Sequence, residues 1–146
     1  MSTTTVELTV NGQKRSAEVE ARKTLADFLH AEPSEIVFGQ NMTTLTYHLS
    51  RALGRVWGPG DEIVVTELDH HANVDPWRAL EQERGVTIRT VPMRPETGTL
   101  DPEELERAVT DRTRLLALGA ASNALGTIND LRRGSELARA AGALYF

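Results

Sequence analysis

Residues 64–77 read VVTELDHHANVDPW: an apolar run, an acidic residue, then two adjacent histidines, His70 and His71. An imidazole in such a loop can bind a metal, exchange protons near neutral pH, or lay its flat face on another ring. A zinc site needs three or four converging ligands, commonly at i, i+4 spacing or as cysteine pairs. Here the histidines are neighbours, which sends their side chains in different directions. The other two, His30 and His48, stand in no ligand spacing, and the chain has no cysteine. The spacing therefore argues against a metal. Acid–base chemistry, ring stacking and a plain loop in which Asp69 caps a turn all stay open.

Two further stretches carry chemistry. In FGQNMTTLT a glycine is followed by small hydroxyl residues that open a helix. Helix N-terminal N–H groups, with the hydroxyls of Thr43 and Thr44, can cup a phosphate; a simple N-cap is the alternative. In GAASNALGTIND, Asn123 follows an apolar run and has both donor and acceptor capacity for a ligand hydroxyl. An Asx-turn is the plain reading there. A phosphate cup, an imidazole and an amide together suit a flat, phosphorylated aromatic cofactor.

The elements that must position these groups follow from pattern. VELTVNGQKRSAEVE alternates in period two around Asn11-Gly12, the signature of a tight hairpin. Thr24 is placed to cap a short helix through LADFL. From residue 31 the pattern alternates strand and helix: a strand at Glu35 to Gly39, a helix over 44–53 on Leu45 and Leu49, and a strand ending near Thr66. A helix follows, capped by Asp75 with Pro76 first and stopped at Gly85, then a strand VTIRTVPM. Asp101-Pro102 opens another helix, with Glu104 at the capping-box position and Leu100 and Leu105 as its staple. RLLALGAAS reads as a strand covered on both faces, NDLRRGSELARAAG as a helix or a broken helix ending at Gly142, and ALYF as the start of a further strand. Such alternation predicts a mostly parallel sheet with covering helices. Function is then expected in the loops beyond the carboxyl ends of the strands, at 39–44, 67–75 and 121–130.

The chain has 146 residues, a domain's worth, and a net charge of −5, which gives no sign of a nucleic-acid or anionic-membrane partner. It carries no long apolar run and no signal-peptide pattern, so cytoplasm is the expected location. Lacking cysteine, it can form no disulfide, thiolate metal site or cysteine nucleophile. Its two lysines, Lys14 and Lys23, both lie near the N-terminus.

The block GDEIVV…ELDHHAN…PW, followed by SNALGT, resembles the large domain of class V aminotransferase-fold enzymes, and within them the cysteine desulfurase and selenocysteine lyase-like group. The resemblance runs over residues 30–146. It implies an α/β fold of the aspartate aminotransferase type, a pyridoxal 5′-phosphate (PLP) cofactor, an amino-acid substrate and a homodimer. By that resemblance Met42 and Thr43 hold the cofactor phosphate, Asn123 bonds the ring hydroxyl, and His70 stacks on the ring and helps to move protons. His71, Ala72 and Asn73 shape the loop.

The resemblance also implies groups this chain does not contain. An aspartate for the pyridine nitrogen is expected just beyond ALYF, and a Schiff-base lysine later still, whereas the last lysine here is Lys23. The expectation is a C-terminally truncated domain, inactive alone. Residues 4–29 instead resemble the start of the [2Fe–2S] subunit of molybdenum hydroxylases, a β-grasp opening, here without cysteine for a cluster. The expected organisation is thus a ferredoxin-like segment over 1–29 joined to an incomplete aminotransferase domain over 30–146. The competing readings are a non-catalytic α/β interaction module and a remnant of an iron–sulfur electron-transfer subunit.

Overall fold

The computed structural model describes residues 3–146. The chain divides into two compact units, Met1–Gly39 and Gln40–Phe146, past the Leu29-His30 join read from the sequence.

In the first unit, β1 (Thr4–Val10) and β2 (Gln13–Val19) pair antiparallel, with Val10 opposite Gln13. Asn11 (φ 51°) and Gly12 (φ 78°) make the turn. Both adopt the left-handed backbone a two-residue hairpin needs, and asparagine and glycine are the residues that tolerate it. Helix α1 (Ala21–Leu29) begins before Thr24, so Thr24 is not its cap. Its hydroxyl donates instead to the Glu20 carbonyl at 3.1 Å, inside the first turn. The strand expected at 35–39 does not form. Pro33–Glu35 is a 3-10 turn closed by Glu35 on the Glu32 N–H at 2.7 Å. Of the apolar residues that follow, Ile36 is buried while Val37 and Phe38 are exposed. The run IVF finds no ladder partner, and an unpaired strand has nothing to hold it.

The second unit is the expected parallel sheet. β3 (Glu62–Thr66) lies between β4 (Thr87–Val91) and β7 (Thr113–Leu116), with β8 (Leu144–Tyr145) beyond β7, all parallel. A short antiparallel pair, β5 (Met93–Arg94) and β6 (Thr99–Leu100), follows β4. Every residue of β3 is buried. Because strand side chains alternate, Ile63 and Val65 join Leu115 and Ala117 in one core with Trp77 and Leu80. Val64 joins Leu116 and Leu118 in the other, with Leu105 and Ala138. The first core is covered by α3 (Asp75–Arg84), the second by α4 (Pro102–Ala108) and α5 (Leu131–Ala140). Among the described residues no helix is long and apolar enough to cross a membrane.

Helix boundaries mostly follow the sequence signals. Asp101 caps α4 by accepting from Glu103 and Glu104 N–H at 2.9 and 3.5 Å. Glu104 does not return the bond; it accepts from Arg107 at 2.7 Å. Gly85 (φ 74°) ends α3. Asp75 is not that helix's cap but its first residue, and it takes His71 at 3.2 Å instead. Helix α2 (Met42–Leu53) buries Thr46 and Ser50 rather than Leu49, which is exposed. Their hydroxyls bond back to the Met42 and Tyr47 carbonyls at 2.9 Å, so the small polar face is satisfied by its own helix.

One ion cluster holds the start of the sheet. Glu62, the first residue of β3, is buried. It accepts from Arg89 of β4 at 2.6 and 2.9 Å and from the Thr110 hydroxyl at 2.7 Å, and pairs with Arg112 at 2.6 Å. The Arg89 hydrogen bonds pull its carboxyl down to about 2, against burial, with Thr110 and the Arg112 charge acting in the same sense.

Gly134 marks the close approach of α5 to the sheet. A Cβ there would lie 2.7 Å from Leu118 Cδ2 and 3.1 Å from the Tyr145 ring. Gly134→Val is expected to cost ~1–3 kcal/mol by overpacking, read from urea unfolding. An unchanged midpoint would mean that helix and sheet separate more freely than this contact implies.

Candidate functional site

The three loops meet. A cavity of about 530 Å³ opens beyond the carboxyl ends of β3 and β7, lined by Met42, Asp69, His70, Asn73, Asn123 and Phe146 together with residues 118–121. Met42 comes from the start of α2, His70 from the loop after β3, and Asn123 from the loop after β7. Thr43, one residue further along α2, stands outside the lining.

At α2, Asn41 accepts from the Thr44 N–H at 2.9 Å. The N–H groups of Met42 and Thr43 have no acceptor inside the helix, as at any helix start, and they carry the positive end of its dipole.

After β3 the chain turns through Asp69 into a 3-10 turn, His71–Asn73. His70 Nδ1 accepts from the Ala72 N–H at 3.0 Å. This fixes the ring, and in the neutral imidazole it leaves the proton on Nε2. His71 diverges, as neighbours should: it is exposed and pairs with Asp75. Asn73 is buried, and its Nδ2 donates to Asp69 Oδ1 at 3.2 Å. That bond fixes the amide's orientation and leaves Asn73 Oδ1 buried without a partner among the described residues.

After β7 the loop is held by its own small side chains. Buried Ser122 accepts at Oγ from the Ala124 and Leu125 N–H groups at 3.3 and 3.2 Å. Asn129 Nδ2 donates to the Gly119 carbonyl at 2.7 Å. Asn123 is left exposed at the cavity.

Asp69 joins two of these loops. It does stand in a turn, but its carboxylate reaches across to the other loop. Oδ2 accepts from the Thr66 hydroxyl at 2.8 Å, and both oxygens accept from the Gly119 N–H at 3.1 Å. The partner lies 50 residues away, so no local pattern announces it. Nearby, burial pushes the Tyr145 phenol up, and the charges of Asp69 and Asp130 push it further.

Open parallel sheets bind ligands beyond the carboxyl ends of their strands, and this cavity lies there, beside the start of α2. The chain belongs to the class-V aminotransferase family, which matches residues 6–146. It is 39% identical over 137 residues to a cysteine desulfurase of Dickeya dadantii, covering 92% of this chain and 33% of that protein. Among solved structures it is similar to the cysteine desulfurase CsdA of Escherichia coli, with a TM-score of 0.78 and 32% identity over 86% of this chain and 32% of the other. It is also similar to a mutant of C-DES that carries glycine covalently linked to its PLP cofactor, with a TM-score of 0.70 and 25% identity over 85% and 32%. The chain thus spans about a third of the length of the relatives it matches.

Proposed function

We propose that this chain is the cofactor-cradling part of a PLP-dependent, cysteine desulfurase-like enzyme acting on an amino acid by C–S cleavage or amino-group chemistry. The observation that carries the reading is the convergence of Met42, His70 and Asn123 on one cavity at the carboxyl edge of the sheet.

The residues present fit the group. Free N–H groups at the start of α2 suit a phosphate dianion, and Met42 and Thr43 would hold it there. His70, fixed through Nδ1, presents a flat ring to the cavity, and its Nε2 is free to exchange a proton. Asn123 offers an amide to a ring hydroxyl. Asn73, which also lines the cavity, keeps its Oδ1 buried and unpaired among the described residues. When bound, PLP supplies an electron sink for cleavage at the substrate amino acid. None of the residues lining the cavity is a lysine, so the hold this chain offers is non-covalent.

Titrating PLP against the pure chain by absorbance and equilibrium dialysis tests this. His70→Ala and Asn123→Ala are each expected to weaken binding about tenfold, the worth of one good stacking or hydrogen-bond contact. Equal affinity in both variants and wild type would remove the assigned site. The chain alone is expected to release neither alanine nor sulfide from cysteine; turnover would show that it holds a complete active site.

Cytoplasmic location and homodimer formation are proposed on the family resemblance. The ferredoxin-like reading of residues 1–29 is supported by the β1–β2 hairpin and the helix after it. The family match from residue 6 runs through the same segment.

A further inference from the structure

Backbone pairing between β3 and β7 stops early. The last ladder pair is Val64 with Leu116, and the Ala117 N–H reaches the Val64 carbonyl at 2.9 Å. Beyond that point the two chains must separate to form the loops that carry His70 and Asn123. We infer that Asp69 is the positioning residue of this site: its carboxylate joins the two loops where the ladder has ended and so sets the separation of His70 from Asn123. The inference rests on the reading of those two residues as the cofactor-ring contacts.

The chemistry of the junction supports it in three ways. Each Asp69 oxygen receives two donors: Oδ1 takes Asn73 Nδ2 and the Gly119 N–H, and Oδ2 takes the Thr66 hydroxyl and the same N–H. An ionised carboxylate can accept at both oxygens, whereas an amide can accept at only one. Next, the contact leaves no room for a side chain at 119. A Cβ on Gly119 would sit 2.2 Å from Asp69 Oδ1. Finally, the tie extends both ways. Asn73, held by Asp69, donates its own N–H to the His70 carbonyl at 2.7 Å, while Asn129 grips the Gly119 carbonyl from the far end of the Asn123 loop.

The test compares the full chain with Asp69→Ala by NMR and by PLP titration. Amide exchange at Gly119 is expected to rise at least tenfold, with exchange at Val64 and Leu116 unchanged. The His70 imidazole and Asn123 carboxamide resonances are both expected to shift, and PLP binding to weaken at least tenfold. Asp69→Asn keeps the shape and one carbonyl acceptor. It should give the same changes at smaller amplitude, and it decides the matter if the alanine variant does not fold. Faster exchange at Gly119 with both side-chain resonances unmoved would overturn the inference and leave Asp69 a local brace. If wild type ignores PLP, the cofactor reading falls, and the resonances still decide whether Asp69 links the loops.

Discussion

Glu62→Ala is expected to lower the unfolding free energy by ~2–3 kcal/mol at neutral pH, because it deletes a buried carboxylate that gathers charge-assisted hydrogen bonds from two arginines. Arg89 and the Thr110 hydroxyl both donate to this one carboxylate, and Arg112 pairs with it. The acid limb gives an independent measure. The folded carboxyl sits at about 2, below its ordinary 4.5. A depressed pKa stabilises the fold above the unfolded value and loses that contribution as pH falls through the folded one. About 3 kcal/mol should therefore disappear between these two values in wild type. Glu62→Gln should show a flatter stability curve across that window. Urea unfolding at neutral pH and through the acid range checks both, and parallel curves for the two proteins would sink the assignment.

Trp77→Ala should be comparably damaging, by ~3–5 kcal/mol in urea unfolding followed by circular dichroism. The indole is fully buried under the sheet, and its ring meets Phe146 edge-on at 5.2 Å and 76°. Phe146 in turn lines the cavity, so removing Trp77 takes away the support of one wall. Among the described residues the indole Nε1 has no hydrogen-bond partner, which is a cost the native fold already carries. Trp77→Phe keeps an aromatic ring and removes that unpaired donor, so it should lose about half as much or less. Equal losses for the two variants would mean that the N–H has an unseen partner.

Sequence signals are legible where the chemistry is local. Asn11-Gly12 made its hairpin, Asp101-Pro102 started α4, and the unbroken apolar run of β3 announced a strand covered on both faces. The loops at 39–44, 67–75 and 121–130 do converge, and Met42, His70 and Asn123 line the same cavity. Errors arose where tertiary partners decide. The IVF run has the composition of a strand but no neighbour to pair with. Leu45 and Leu49 suggested the inner face of α2, yet Thr46 and Ser50 occupy it because their hydroxyls bond back to their own helix. Asp69 looked like a turn residue because Gly119 lies 50 positions on.

That distance along the chain also has a consequence in time. In the parallel sheet, Ile63 pairs with Leu115, 52 positions later, whereas the β1–β2 hairpin closes over its two-residue turn. A hairpin of this kind forms within ~1–10 μs. At a ribosomal rate of about 5–20 residues per second, β3 emerges roughly 3–10 s before the strand that will cover its inner edge. During that wait Ile63, Val64 and Val65 form an apolar segment with one flank open, a surface on which a nascent chain can mispair.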